Sequence, residues 1–233
     1  MTPANDDPSK YWSKALGFGF DEPVTDKVIA QVCEFYRDNG NAQATLQIAP
    51  TLLPPDWAEI CARHNITEGG AWTKLMREAG KLPAVDTTLR IGRIEPDQAA
   101  GWAVTVVRGF GMPENEIIAM VTAFATAEGV NAYGAWDGAD LVGVGTLVIL
   151  PDVARHKVGT FFAGATLPTH RHRGAQSALF EIRARDAVDA GCTVFTTETG
   201  REGPGEHNSS LHNMLRAGFR PVYDRQNWAW HAA

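Results

Sequence analysis

The chain has 233 residues, of which 44% are hydrophobic and 21% charged, an ordinary globular composition that suffices for one large domain or two small ones. Its formal net charge is −6, so nucleic acid is not expected as a partner. The sequence has no apolar run near the ~18 residues of a membrane helix. The polar segment from Met1 to Lys10 resembles neither a signal peptide nor a transit peptide. We therefore expect a cytoplasmic protein without a membrane partner.

The first 86 residues form a segment with the predicted order helix, strand, helix, strand. The helices are predicted over 24–37 and 54–63 and the strands over 44–49 and 70–76. The second helix begins with proline and can end at Asn65. A linker over 79–86 follows, and we find no convincing catalytic constellation in this part of the chain.

Residues 87–233 form a second segment in which strands and helices alternate. Helices are predicted over 96–107, 113–127, 174–190 and 208–216, and strands over 89–94, 131–136, 141–149, 159–167, 193–199, 219–223 and 227–231. Alternation of this kind predicts a mixed α/β or α+β fold.

The three cysteines, Cys33, Cys61 and Cys192, are odd in number and widely separated. None forms a C-x-x-C pair or a Cys/His pattern with zinc spacing. We expect buried, reduced thiols and no metal site. His170 and His172 do not change this expectation, because they lie in a turn with an arginine between them.

The turn between the strand at 159–167 and the helix that begins at Gly174 is the most informative part of the chain. Because the first N–H groups of a helix have no partner within it, those of Ala175, Gln176 and Ser177 form a site for an anion such as phosphate. Four basic or titratable side chains precede them, namely His170, Arg171, His172 and Arg173. A local cationic cluster on an acidic protein indicates a specific anionic ligand.

The segment Arg171–Gln176 resembles the acyl-CoA pyrophosphate motif of the GNAT-type N-acetyltransferases, in which Gln or Arg, two variable residues, Gly, one variable residue and Gly or Ala follow one another. Its surroundings are similar too: an apolar strand ending at Leu167 precedes it, and an amphipathic helix and a further strand follow. The closing helix with its terminal Gly-Phe, 208–219, is also similar to that family. The resemblance is clear over 131–228.

This resemblance implies a mixed, mostly antiparallel sheet flanked by helices, with the acetyltransferase domain at 87–233. On one interpretation the segment 1–86 is a degenerate copy of part of the same fold. The resemblance also implies that the strand 162–166 separates from its neighbour and leaves backbone groups free for the pantetheine of acetyl-CoA. The implied cofactor-binding residues are Ala165, Thr166, Leu167, Arg171, His172, Arg173, Gly174, Ala175, Gln176, Ser177 and Asn208.

Two positions depart from the family pattern. Gln176 stands where the motif most often has Gly or Ala, which is tolerable if its side chain points outward. Met214 stands where many members carry the tyrosine that protonates the leaving thiolate, so that role cannot be assigned here. Asn208 matches the asparagine near the start of the closing helix only loosely.

The reaction implied by the resemblance is transfer of an acetyl group from acetyl-CoA to a primary amine, by direct attack in a ternary complex. Glu198 is the first candidate for the base, and Tyr223 could protonate the thiolate in place of the missing tyrosine. Structural roles remain open for both, because alternation along 193–199 does not settle which face Glu198 occupies. His207 and His212 are further titratable candidates with surface or structural roles as alternatives.

A catalytically silent module that binds acyl-CoA is the alternative function. It is favoured by the missing tyrosine, although a thiolate with a pKa near 8.5 can leave without a strong acid. The expected partner is a small-molecule or peptide amine, and the acidic net charge suggests a cationic one. A homodimer is left open.

Overall fold

The computed structural model of the protein describes residues 12–114 and 117–232. Its helices are α1 (Asp26–Asp38), α2 (Trp57–His64), α3 (Ala99–Gly109), α4 (Ile117–Ala125), α5 (Ala175–Asp189) and α6 (Ser209–Arg216). Its strands are β1 (Lys14–Ala15), β2 (Gln43–Gln47), β3 (Ile66–Glu78), β4 (Arg90–Arg93), β5 (Val130–Asp137), β6 (Asp140–Val153), β7 (His156–Thr166), β8 (Val194–Gly200) and β9 (Arg220–His231). None of the helices in these described ranges is long and apolar enough to cross a membrane.

The chain divides into two compact units whose bounds differ from the predicted boundary at 86. Of the described residues, the first unit comprises 12–74, 199–206 and 223–232, and the second comprises 75–114, 117–198 and 207–222. The end of the chain belongs with the first unit because β9 pairs antiparallel with β2 there, from Gln43 opposite His231 to Gln47 opposite Asn227.

In the first unit the strands follow the order β1-β2-β9-β3. Helices α1 and α2 contribute to a core that includes Ile29, Tyr36, Leu46, Ile60 and Trp230. Strand β1 is parallel to β2, and α1 lies between them in the chain. The order of strand, helix, parallel strand, helix and strand, β1-α1-β2-α2-β3, recurs as β7-α5-β8-α6-β9. This recurrence is consistent with the half-copy interpretation, which stays a prediction.

In the second unit the strands follow the order β8-β7-β6-β5-β4. All neighbouring pairs in this series are antiparallel except β7 with β8, which are parallel. The mixed, mostly antiparallel sheet with flanking helices is therefore confirmed. Helix α5 packs on one face, where Phe180 contacts Phe161, and α4 packs on the other, where Phe124 contacts Phe162. Successive side chains of β7 point to opposite faces, as expected for a strand.

Several predicted bounds differ from the structure. The two closing strands predicted at 219–223 and 227–231 are the single strand β9, and the strand predicted at 70–76 extends over Ile66–Glu78. The helix predicted over 113–127 is shorter, because α4 spans Ile117–Ala125. Residues 115 and 116 of that prediction lie outside the described residues.

The cysteines are free, as predicted, but they are not all buried. Cys33 and Cys192 are buried, whereas Cys61 is half-buried on α2. Desolvation raises the pKa of each thiol, that of Cys33 to about 11. All three are therefore thiols rather than thiolates near neutral pH.

Candidate functional site

Strand β7 is paired on both sides at its start and on one side at its end. Its parallel pairing with β8 runs from Val158 opposite Val194 to Phe161 opposite Thr197. Beyond that point β7 continues through residues 162–166 with β6 as its only strand partner among the described residues. The Thr197 hydroxyl donates to the Phe161 carbonyl at 2.9 Å, at the last paired position. The predicted separation over 162–166 is thus confirmed.

A β-bulge lies within this separated part. The β6–β7 register shifts between Val144 and Thr146, so that Gly145 faces both Ala163 and Gly164. Ala163 takes the left-handed conformation with φ 49°. Such a bulge bends the strand and interrupts the hydrogen-bond ladder. The backbone N–H and C=O groups of the bulged residues therefore point in directions that differ from those of a regular edge strand.

Backbone direction at the end of β7 follows from one hydrogen bond. The N–H of Leu167 donates to the Val142 carbonyl of β6 at 2.9 Å. Because N–H and C=O directions alternate along a strand, those of the preceding residue, Thr166, point away from β6. They are available to a ligand that lies along the separated edge.

The first turn of α5 has the free donors that the sequence predicts. Gly174 adopts φ 81° as the residue before the helix, no side chain caps the N-terminus, and the first turn has no acidic residue. The Ala178 N–H donates to the Gly174 carbonyl, so the three N–H groups before it, on Ala175, Gln176 and Ser177, are the ones left for a ligand. This end of the helix is suited to an anion.

The two candidate arginine side chains near that anion site differ in their surroundings. Arg173 donates to both carboxylate oxygens of Asp137, at 2.6 and 3.1 Å, and to the Thr88 hydroxyl at 3.2 Å. The Arg173 guanidinium holds the pKa of Asp137 below its usual range. The Arg173 guanidinium is therefore engaged by Asp137 in this structure, and its role toward a ligand stays a prediction.

The Arg171 side chain is exposed and has no ion pair or side-chain hydrogen bond within the described part of the chain. His172 is exposed and left-handed, with φ 63°. The His170 ring lies 3.5 Å from Asp137 and 2.9 Å from the Thr169 hydroxyl. Arg171 is thus the cation of this turn that remains for a ligand.

The side chain of Gln176 does not point outward, contrary to expectation. It is half-buried, and its amide donates to the Ala165 carbonyl at 2.8 Å and to the Thr166 hydroxyl at 2.9 Å. These bonds join the first turn of α5 to the separated end of β7. The glycine at position 164 leaves room for the Gln176 side chain, because a Cβ added there would lie only 3.0 Å from the Gln176 amide oxygen.

The end of the predicted linker supports the turn. The Thr87 hydroxyl donates to the Arg173 carbonyl at 2.8 Å. A Cβ on Gly174 would lie 3.3 Å from Val85 and 3.4 Å from the Thr87 Cβ. Sequence reasoning missed this contact, and it missed Asp137, because neither lies near the motif along the chain.

Glu198 is on the face of β8 opposite the α5 core. Phe195 and Thr197 are buried, whereas Thr196 and Glu198 alternate with them and are half-buried. The Thr196 hydroxyl lies 3.0 Å from that of Thr160, which shares its face of β7 with Phe162, the residue that contacts α4. Glu198 therefore follows Thr197, the last residue of β8 that pairs with β7, and its side chain lies on the α4 side of the sheet.

The positions of Met214, Asn208 and Tyr223 show what surrounds each of these residues. Met214 is buried in the core of the second unit. Asn208 caps α6, since its side chain accepts from the N–H groups of Ser210 and Leu211 at 3.0 and 3.2 Å. Tyr223 is 39% exposed and belongs to the first unit. Its catalytic role stays a prediction, as do the ligand roles of the residues in the turn.

The rings of His207 and His212 stack near the start of α6, with centroids 4.5 Å apart. This mutual packing is consistent with the structural alternative for both histidines.

Solved structures share this fold at low sequence identity. A functionally unknown conserved protein from Staphylococcus epidermidis is 13% identical, with a TM-score of 0.64 over 91% of this chain and 82% of that one. A GCN5-related N-acetyltransferase from Kribbella flavida is 16% identical, with a TM-score of 0.61 over 91% of this chain and 78% of that one. The chain has the GNAT fold.

A tandem GNAT protein from the clavulanic acid biosynthesis pathway is 17% identical, with a TM-score of 0.61 over 89% of this chain and 69% of that one. No protein-family model and no curated protein matches the chain. The likeness to the GNAT proteins is therefore a likeness of fold, beside which the short motif at Arg171–Gln176 is a resemblance in sequence.

Proposed function

We propose that this GNAT protein is an N-acyltransferase that moves the acetyl group of acetyl-CoA to a primary amine. The observation that carries the proposal is the juxtaposition of two free backbone sites along one stretch of chain. The separated end of β7 supplies strand-edge groups at Thr166, and eight residues later the uncapped α5 begins after Gly174. A ligand with amides at one end and a diphosphate at the other matches both.

In this proposal the diphosphate is bound by the N–H groups of Ala175, Gln176 and Ser177, and Arg171 adds a charge-assisted contact. The pantetheine amides pair with the backbone of the separated strand at Thr166. An N–H from the bulged part of β7 is suited to polarise the thioester carbonyl, because donors fixed by the fold need no reorganisation during reaction.

The chemical step forms a bond from the amine nitrogen to the acyl carbon and breaks the carbon–sulfur bond. The electron pair of that bond leaves with coenzyme A as a thiolate. Glu198 takes the proton that the ammonium must lose before attack, directly or through water. Met214 holds the position of the tyrosine donor and is buried in the core, so the thiolate is protonated by Tyr223, as predicted from the sequence, or by solvent.

The presence of Met214 in place of the tyrosine donor favours a second candidate function, a silent module that binds acyl-CoA without turnover. The two differ in one measurement, the release of free coenzyme A thiol from acetyl-CoA in the presence of amines. Binding without release across a broad amine panel supports the silent module.

The placement of the cofactor is tested by Ser177→Asp, with Ser177→Asn as the matched control. Ser177 is exposed in the first turn of α5, where a carboxylate stabilises the helix but repels a diphosphate. At contact distance near a protein surface this repulsion is worth about 4 kcal/mol, so we expect the Kd for coenzyme A to rise at least about a hundredfold.

Isothermal titration calorimetry measures the affinity, and a melting curve shows that the variant is folded. Ser177→Asn should bind nearly as well as the wild type. Equal affinity in the Asp variant, or no heat from coenzyme A and the wild type, would refute the placement.

A further inference from the structure

Gln176 contributes to both of the backbone sites that the proposed function assigns to acyl-CoA. Its own N–H is one of the free donors in the first turn of α5, and its side chain reaches the separated end of β7. The motif most often has Gly or Ala at this position, and neither has a side chain long enough to do so. The inference drawn from Gln176 rests on the proposed function and concerns how the cofactor site is held together.

The β-bulge in β7 turns two positions of the strand toward α5. A Cβ added to Gly164 would lie 3.0 Å from the Gln176 amide oxygen, and the Thr166 hydroxyl accepts from the Gln176 amide at 2.9 Å. Between these two positions, the Ala165 side chain faces α3. Regular alternation from Phe161, which packs on α5, would instead place Ala165 on the α5 side. The extra residue of the bulge therefore brings positions 164 and 166 within reach of Gln176.

The Gln176 amide fixes the direction of one peptide unit. Its NH2 group donates to the Ala165 carbonyl at 2.8 Å as well as to the Thr166 hydroxyl, so both of its donor hydrogens are engaged. The Ala165 carbonyl and the Thr166 N–H belong to the same planar trans peptide and point in opposite directions. A bond that holds this carbonyl on one side therefore aims the Thr166 N–H to the other, which is the direction away from β6.

This peptide unit lies where β7 has little other support. Up to Phe161 the strand is held by β8, and beyond it β6 is its only strand partner among the described residues. The bulge interrupts that remaining ladder directly before Ala165. The Thr166 side chain is buried and that of Gln176 is half-buried. Because hydrogen bonds in series polarise one another, the bond to the Ala165 carbonyl also makes the Thr166 N–H a stronger donor.

We infer that Gln176 is a positioning residue that couples the diphosphate part of the acyl-CoA site to its pantetheine part. A bound diphosphate orders the first turn of α5 through the free N–H groups. The Gln176 side chain carries that order to the Ala165–Thr166 peptide unit, whose N–H pairs with a pantetheine amide. Coupling of this kind is a difference in binding free energy between the two parts of the site, so it is measurable with ligands that fill one part or both.

Two ligands separate the parts of the site in a calorimetric titration. Coenzyme A fills both parts, whereas adenosine 3′-phosphate 5′-diphosphate ends at the diphosphate and has no pantetheine. Gln176→Met keeps an unbranched side chain of similar size but has no donor. We expect it to raise the Kd for coenzyme A by about fivefold to tenfold. The Kd for the fragment should change by less than about twofold, because the backbone N–H groups of α5 remain.

A second variant and a control locate the effect. Thr166→Val removes the hydroxyl acceptor but keeps the bond to the Ala165 carbonyl, so the Kd for coenzyme A should rise only about twofold to threefold. Gln31→Met is the matched control, since Gln31 is exposed on α1, and it should leave both Kd values unchanged. A melting curve shows which variants are folded, and Thr166→Val still gives a readout if Gln176→Met is unfolded. The ratio of the two Kd values is the decisive quantity, because a merely structural role of Gln176 would not change it.

The outcomes separate this inference from the proposed function. If the wild type binds coenzyme A and both Kd values rise by the same factor in Gln176→Met, the residue supports α5 alone, and the inference is wrong while the placement of the cofactor stands. An unchanged ratio in whichever of the two β7-contact variants is folded also overturns it. If the wild type binds the fragment as tightly as coenzyme A, the pantetheine contact at β7 fails, and the inference with it. If the wild type binds neither ligand, the placement of the cofactor itself fails.

Discussion

Replacing the buried arginine of α5 by an apolar residue should not weaken the fold. Arg183 is 1% exposed, and its guanidinium lies near the rings of Phe161 and Phe180, at 5.1 and 4.7 Å from their centroids. It donates to the Leu179 carbonyl at 2.7 Å and to the Thr146 carbonyl at 3.3 Å. One terminal nitrogen, Nη2, is buried with no hydrogen-bond partner among the described residues.

The cost of burying the Arg183 charge opposes the stabilisation from its hydrogen bonds and ring contacts, and the two can be compared. Burial lowers the pKa of Arg183 to about 9, and a shift of that size from the ordinary arginine value corresponds to about 5 kcal/mol against the charged form. The bonds to Leu179 and Thr146 together offset about 2 kcal/mol, and the ring contacts offset about 1 to 2 kcal/mol. Arg183→Met keeps much of the volume and removes the charge, so its free energy of unfolding should stay equal or rise by about 1 to 3 kcal/mol. Arg183→Ala should lose about 2 to 4 kcal/mol because it leaves a cavity.

Urea denaturation of the wild type and both variants measures these differences at pH 7. A pH series adds a second readout. Since the folded chain loses the Arg183 proton from about pH 9, whereas the unfolded chain keeps it to a much higher pH, the wild type should gain stability relative to Arg183→Met as pH rises above 9. If Met and Ala destabilise equally, or if no relative gain appears above pH 9, the buried guanidinium is a net stabilising group and the reasoning fails.

Three further predictions follow from single contacts. Gln176→Ala should lower the free energy of unfolding by about 1 to 3 kcal/mol, because two half-buried hydrogen bonds to β7 are lost, and urea denaturation measures it. Arg173→Gln should change the affinity for coenzyme A less than about twofold in calorimetry, since Asp137 holds that guanidinium, while Arg171→Gln should weaken it about fivefold or more. Cys33, whose pKa is raised to about 11, should react with a thiol reagent at pH 8 only on unfolding, and rapid labelling of the native protein at this residue would contradict its burial.

The part of the site that depends on local sequence could be predicted from the chain alone. Gly174 followed by an amphipathic helix defines an uncapped N-terminus, because capping and dipole effects act within one turn. The separation of β7 from β8 was predicted from the family resemblance, since the spacing of residues along the chain does not indicate it. The face of Glu198 needed the partners of its neighbours, above all the contact of Thr196 with Thr160.

Long-range contacts explain what the sequence did not indicate. Asp137 lies 36 residues before Arg173 in the chain, and nothing in the motif indicates that the two pair. The two strands predicted at 219–223 and 227–231 leave Asp224 between them, yet β9 continues through this position. There the Thr73 hydroxyl donates to Asp224 at 2.7 Å, and Gln226 donates to the Gly69 carbonyl. Polar side chains that find partners on the neighbouring strand are as compatible with a sheet as apolar ones.

In the half-copy interpretation α1 and α5 occupy corresponding positions, and of these two helices only α5 has an N-terminus suited to an anion. In α1 the Thr25 side chain already accepts a hydrogen bond from the Val28 N–H, at 3.3 Å, and Asp26 places a carboxylate in the first turn. The preceding turn carries Asp21 and Glu22, where the turn before α5 carries histidines and arginines. A capped and acidic N-terminus repels a phosphate as surely as an uncapped and basic one attracts it. On the proposed function, we therefore expect one acyl-CoA per chain, bound at α5.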